Sequence, residues 1–165
     1  PGVTTTGLEM WRGGACARGA AFKQRLWGSL QMLTSALTLP GECWLEHMML
    51  DEASGLDPPG IKVRAADGLD AVEYLLPGFW VWGKIVEALA RIGYDSSNLK
   101  AFPYDWRLGA PHLEQRDAFF SRMKAALEVS LAQHRGRPAA LLAHSYGDTL
   151  TRYFFQWVES PAGGR

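Results

Sequence analysis

An excess of charge of either sign is the first thing this sequence lacks. Seventeen Lys and Arg balance seventeen Asp and Glu, for a formal net charge of zero. That removes the electrostatic footprint expected of a nucleic-acid partner. Cysteine is scarce: Cys16 and Cys43 are the only two, 27 positions apart. With no CxxC and no histidine at zinc spacing they speak against a metal site, and they leave a disulfide or two free thiols open. Long apolar runs are missing too. The longest apolar region, Ala71 to Ala90, is interrupted by Glu73, Pro77, Lys84 and Glu87 and cannot cross a bilayer as one helix. No signal peptide or anchor is evident. The chain opens at Pro1 and closes on Gly163, Gly164 and Arg165; it reads as a piece of a longer protein, so absent targeting signals say little about compartment.

What is present is an ordinary globular composition, 47% hydrophobic and 21% charged over 165 residues, enough for one domain with a core. Seven Trp and seven Phe suit an apolar substrate and suit a large core equally well.

The informative stretch is residues 138 to 159. An apolar run, Ala139 to Ala143, reads as a short buried strand; the chain turns through His144, Ser145 and Tyr146 and enters a segment of helical periodicity. Of the nine serines, Ser145 is the only one with Gly or Ala two residues before and Gly two residues after. A nucleophile elbow needs small residues at those places, because strand and helix backbones pass close together at a strained turn. The alternative is a serine in a plain strand-to-helix loop.

Taken in order, Pro1 to Gly7 has loop composition, and Leu8 to about Pro59 reads as an insertion. Within it Phe22, Leu26, Leu30, Leu33 and Leu37 recur at helical intervals beside Arg18, Lys23 and Arg25. Such an amphipathic segment fits a flap at a lipid surface or a core stripe. LDPPG from Leu56 to Gly60 is a turn, and Ile61 to Ala65 a short strand. The spacing of Trp82, Ile85, Val86, Leu89 and Ile92 predicts a helix over Val81 to Ile92, stopped by Gly93. Asn98 to Phe102 is expected as a strand. Leu113 to Gln133 is expected as one long helix with Phe120, Met123, Leu127 and Leu131 inward, closed by Gly136. In the elbow helix Leu150, Tyr153, Phe154, Trp157 and Val158 line one face, and Ser160 and Pro161 end it. This alternation predicts a parallel sheet covered by helices on both faces, with the loops at Val3, Asp105 and Ser145 meeting at its carboxyl edge.

A serine hydroxyl needs a base to take its proton and an acid to orient that base. The four histidines are His47, His112, His134 and His144. His144 adjoins the serine but points away from it in an extended approach. His134 falls at the far edge of the sheet, and His112, after Asp105, is a weak candidate on the correct edge. The chain order of such hydrolases puts acid and base after the serine, so they are expected beyond Arg165, and this stretch alone is expected to be nearly inactive. Backbone amides of Tyr146 and Val3 are the expected oxyanion donors.

Several separated motifs resemble the lecithin:cholesterol acyltransferase family: PGV at Pro1 with Leu8, Glu9 and Trp11, Cys16, RLWG from Arg25, Cys43 with WLEH, GLDPPG from Gly55, IGYD from Ile92, PYDWRL from Pro103, and AHSYG with RYFFQWVE. RLWG, GLDPPG and IGYD are most similar to its phospholipid:diacylglycerol acyltransferase branch. The resemblance implies an α/β-hydrolase fold, here its amino-terminal half. In it Ser145 takes an acyl group from a phospholipid and passes it to diacylglycerol, with no cofactor and no metal. It further implies an oxyanion hole from Val3 and Tyr146, and a lid stapled by Cys16 and Cys43 and carrying Trp27. Asp105 and Arg107 would brace the site. The domain would work at a membrane surface on the luminal side of the endoplasmic reticulum. Ala143 and Tyr146 depart from the family's usual Gly and Leu or Met. A sterol or water as acceptor, and a non-catalytic lipid-binding module, are the competing readings.

Overall fold

The computed structural model describes residues 1–28, 30, 32, 41–76 and 78–163. Its first unit is a small antiparallel sheet of β1 (Leu8–Arg12), β2 (Gln24–Trp27) and β3 (Lys62–Ala65) in the order β2-β1-β3. Alternation along the strands sends Leu8, Met10, Leu26 and Val63 to one buried face. Helix α1 (Gly41–Met48) covers that face. Cys43 and His47, four residues apart and therefore on one side of the helix, point inward. Cys43 is disulfide-bonded to Cys16 in a short 3-10 turn, Ala15–Ala17. The Trp44 indole N–H donates to the Leu26 carbonyl at 3.1 Å.

The amphipathic segment read from Phe22 onward is therefore not a helix at its start. Leu26 is a fully buried strand residue and Phe22 is 70% exposed beyond the end of β2. Pairing with β1 overrides the 3.6-residue spacing there. Leu33 and Leu37 lie outside the described residues.

A second unit comprises α2 (Asp70–Glu73), a short hairpin of β4 (Tyr74–Leu76) and β5 (Phe79–Trp80), and α3 (Gly83–Arg91). Gly93, at φ +97°, ends α3 where expected. The third unit packs α4 (Ala110–Asp117), α5 (Phe119–Gln133) and α6 (Tyr146–Val158) around Phe120, Leu113, Leu150, Phe154 and Trp157. The predicted single helix from Leu113 to Gln133 is thus two. Ala118 adopts a left-handed conformation, φ +48° and ψ 41°, and the Glu114 carboxylate accepts the freed N–H groups of Phe120 and Ser121 at 2.8 and 3.1 Å. Phe120 and Met123 are buried as predicted, whereas Leu131 is 45% exposed.

The parallel sheet is not seen among the described residues; every strand pair there is antiparallel. Residues 98–102 and 139–143 have no ladder hydrogen bonds among the described residues. Both instead line a cavity of about 640 Å³. Its other wall includes Ile85, Val86 and Leu89, the apolar stripe of α3. No described helix is long and apolar enough to cross a membrane.

Candidate active site

Ser145 sits at the first residue before α6 with φ +57° and ψ −130°. That conformation costs a non-glycine residue on the order of 1–3 kcal/mol and persists only where the surroundings impose it. Here the surroundings are two glycines against the chain's first residues. A Cβ on Gly147 would lie 2.4 Å from the Pro1 carbonyl oxygen, and a Cβ on Gly2 would lie 2.9 Å from Cβ of Ser145 and 3.2 Å from its Oγ. Only bare backbone allows the Pro1–Val3 segment to press on the turn. Ala143, two residues before the serine, is exposed. The expected elbow is therefore present as a turn and a helix, while its strand is a run without ladder partners among the described residues.

Val3, one of the two predicted donors, follows Gly2 directly, and Tyr146 follows Ser145. Among the described residues neither backbone N–H has an acceptor. The Ser145 hydroxyl likewise has no partner among them, and the side chain is exposed. The turn is closed by Gly147 N–H to the His144 carbonyl at 3.1 Å and Asp148 N–H to the Ser145 carbonyl at 2.9 Å.

None of the histidines occupies the position of a base. His47 is fully buried in the first unit; its Nδ1–H donates to the Cys43 carbonyl at 2.7 Å and its Nε2 accepts from Gly14 N–H at 3.0 Å. His112 packs its ring over Gly55. His134 Nδ1–H donates to the Ser130 carbonyl at 2.8 Å. His144 has Nδ1 3.4 Å from the position of a Gly2 Cβ, beside the elbow. Cys16, Cys43, Glu46 and His47 bring ligand atoms within 4.8 Å of one another. The sulfurs are joined in the disulfide and both His47 ring nitrogens are engaged, so this group offers a metal little.

Trp27 and Trp106, the latter between Asp105 and Arg107 in the chain, meet the loop that carries Val3. The Trp27 indole N–H donates to the Thr4 carbonyl at 2.7 Å, and its ring packs edge-on to Trp106 with centroids 5.3 Å apart. The Trp106 N–H donates to the Thr6 carbonyl at 3.1 Å. Asp105 accepts from Arg107 through both oxygens, Nε at 2.9 Å and Nη2 at 2.6 Å. That pair belongs to a larger ring absent from the sequence reading. Asp57 accepts from Arg64, Arg107 and Arg116; Asp105 accepts from Arg107 and Arg116; Asp117 binds Arg116 and Arg64. Three carboxylates and three guanidinium groups thus neutralise one another, and Arg107 also donates to the His47 carbonyl at 3.0 Å. Burial by itself would raise the Asp105 carboxyl, but Arg107 and Arg116 outweigh it and hold its pKa below the ordinary carboxylate range. The ring joins the disulfide-bearing unit, through Asp57 and Arg64, to the helical unit.

Residues 21–162 match the family model described as Lecithin:cholesterol acyltransferase. The chain belongs to that family. It is 46% identical over 99% of its length to a phospholipid:diacylglycerol acyltransferase of Schizosaccharomyces pombe, covering 26% of that protein. It is 44% identical over 98% of its length to phospholipid:diacylglycerol acyltransferase 1 of Arabidopsis thaliana, covering 24% of it. With the phospholipid:diacylglycerol acyltransferase of Saccharomyces cerevisiae identity is 40% over 97% of the chain, and 24% of that protein is covered. The chain therefore spans about a quarter of the length of these family members.

Proposed function

We propose that Ser145 is the nucleophile of an enzyme that forms triacylglycerol from a phospholipid and diacylglycerol. What carries this reading is the elbow: a strained serine pressed by Gly2, with the N–H groups of Val3, next to Gly2, and of Tyr146, next to the serine, unengaged among the described residues. The activity named for the relatives supplies the substrate class. In the reaction Ser145 Oγ attacks the acyl carbonyl, a base takes the hydroxyl proton, and the two N–H groups hold the negative oxygen. The proton passes to the departing lysophospholipid. The diacylglycerol hydroxyl then attacks the acyl-enzyme, yielding triacylglycerol and restoring the serine. No histidine makes a hydrogen bond to the Ser145 hydroxyl among the described residues, and this reading assigns acid and base to sequence following the serine.

The same reading makes residues 98–102 and 139–143 parallel strands of an α/β-hydrolase sheet, which accounts for two segments without regular structure lining one cavity. The insertion from Leu8 to Pro59 serves as the lid. A membrane surface as partner is supported by Trp11 and Phe22, exposed at 42% and 70% and stacked edge-on, with the Lys23 ammonium 5.3 Å and the Lys62 ammonium 6.0 Å from the Trp11 ring. The disulfide suits an oxidising lumen, that of the endoplasmic reticulum.

The test is expression of the full-length parent in triacylglycerol-deficient cells, scoring neutral lipids for wild type and Ser145→Ala. Wild type is expected to restore triacylglycerol and the variant to fail. Restoration by both removes Ser145 from the mechanism. A rise in sterol ester or free fatty acid alone keeps the serine and changes the acceptor.

A further inference from the structure

A peptide unit is planar, with its C=O and the following N–H pointing in opposite directions. Whatever fixes the Gly2 carbonyl therefore aims the Val3 N–H. In this structure the Thr5 hydroxyl donates to the Gly2 carbonyl at 2.9 Å, and the Thr5 N–H reinforces it at 3.4 Å. The neighbouring peptide planes are held as well. The Tyr104 hydroxyl donates to the Pro1 carbonyl at 2.9 Å, Trp27 to Thr4, and Trp106 to Thr6. Four side chains thus clamp four carbonyls within six residues, in a loop with no regular structure of its own. Trp106 is itself fixed, because Asp105 and Arg107 on either side of it are locked into the ion ring.

We propose that Thr5 is a positioning residue whose hydroxyl orients the Val3 N–H toward the oxyanion, with Tyr104, Trp27 and Trp106 holding the rest of the loop. The inference rests on the acyl-enzyme reading of Ser145. It gives Trp27 a task that needs no contact with substrate: its indole N–H holds the loop. An oxyanion donor acts only where charge develops in the transition state, so a loosened donor lowers kcat and leaves KM alone.

The test uses the full-length parent with Thr5→Val, which keeps the side-chain shape and removes the donor, and Thr5→Ser, which keeps the donor. Three quantities are read: kcat and KM for triacylglycerol formation, the rate of Ser145 labelling by a fluorophosphonate, and the thermal midpoint. Thr5→Val is expected to lose about 10- to 100-fold in kcat and labelling rate at unchanged KM and midpoint, and Thr5→Ser to recover both. Should Thr5→Val lower the midpoint, Tyr104→Phe, which deletes a single oxygen, decides by the same kcat-against-KM split. Labelling and turnover equal to wild type in Thr5→Val, or no recovery in Thr5→Ser, overturns the proposal. Wild type that labels but makes no triacylglycerol overturns the acceptor assignment alone, and the labelling rates still judge Thr5. Wild type that does not label at Ser145 removes the acyl-enzyme and this inference together.

Discussion

In its proposed role as nucleophile, Ser145 sets stability against function at a single residue. Its backbone, φ +57° and ψ −130°, is one that glycine adopts freely and serine does not. Ser145→Gly should therefore raise stability by roughly 1 kcal/mol while abolishing acyl transfer; urea unfolding of the full-length protein beside an activity assay reads both effects. The residues around it were legible in different degrees. Spacing marks Ala143 and Gly147, and Gly147 does have to be bare, but against the Pro1 carbonyl rather than against the elbow's own strand. Gly2 was not singled out, since its demand comes from Ser145 itself, 143 positions away. Thr5, in a run of three threonines, carries no local mark of the hydrogen bond it makes.

At the scale of the element, periodicity located α3 and α6 well because each carries one apolar stripe, which lines the cavity in α3 and enters the helical core in α6. It failed at α4 and α5. Nothing like Gly or Pro announces Ala118, whose left-handed turn is supported from a distance by Glu114. The Ser121 hydroxyl adds a third hydrogen bond to that carboxylate. Glu114→Ala should cost about 1–2 kcal/mol by leaving the first turn of α5 uncapped, and Glu114→Gln less; the midpoint of urea denaturation checks the order. Strands were the weaker prediction. Ile61 to Ala65 succeeded because β1 is available to pair with it, whereas 98–102 and 139–143 have the composition of strands and no ladder partner among the described residues. A strand is a property of two segments, and sequence describes one at a time.

Across the whole molecule, cohesion between the disulfide-bearing unit and the helical unit rests on a buried ring of charges drawn from residues 57 to 117. Asp105 and Arg107, two apart, could be paired through family resemblance; Asp57, Arg64, Arg116 and Asp117 could not, because nothing local relates them. A folded-state pKa held down by the guanidinium groups means that Asp105 stabilises the fold above the ordinary carboxylate range and loses that contribution as pH falls through its folded pKa. Asp105→Asn should lower stability by about 3–5 kcal/mol near neutral pH, since Arg107 and Arg116 are left in excess charge. It should also flatten the decline in stability below the ordinary carboxylate range. Denaturant titrations of both forms across that range test the two effects. The uncovered runs have a consequence for handling the polypeptide. Among the described residues, backbone groups at 98–102 and 139–143 have no ladder partners and stand beside exposed apolar side chains, Leu142 at 57% among them. A bare edge of this kind is a template onto which another copy can add a strand. Expressed by itself, this stretch is expected to self-associate through those edges, which light scattering at rising concentration would read.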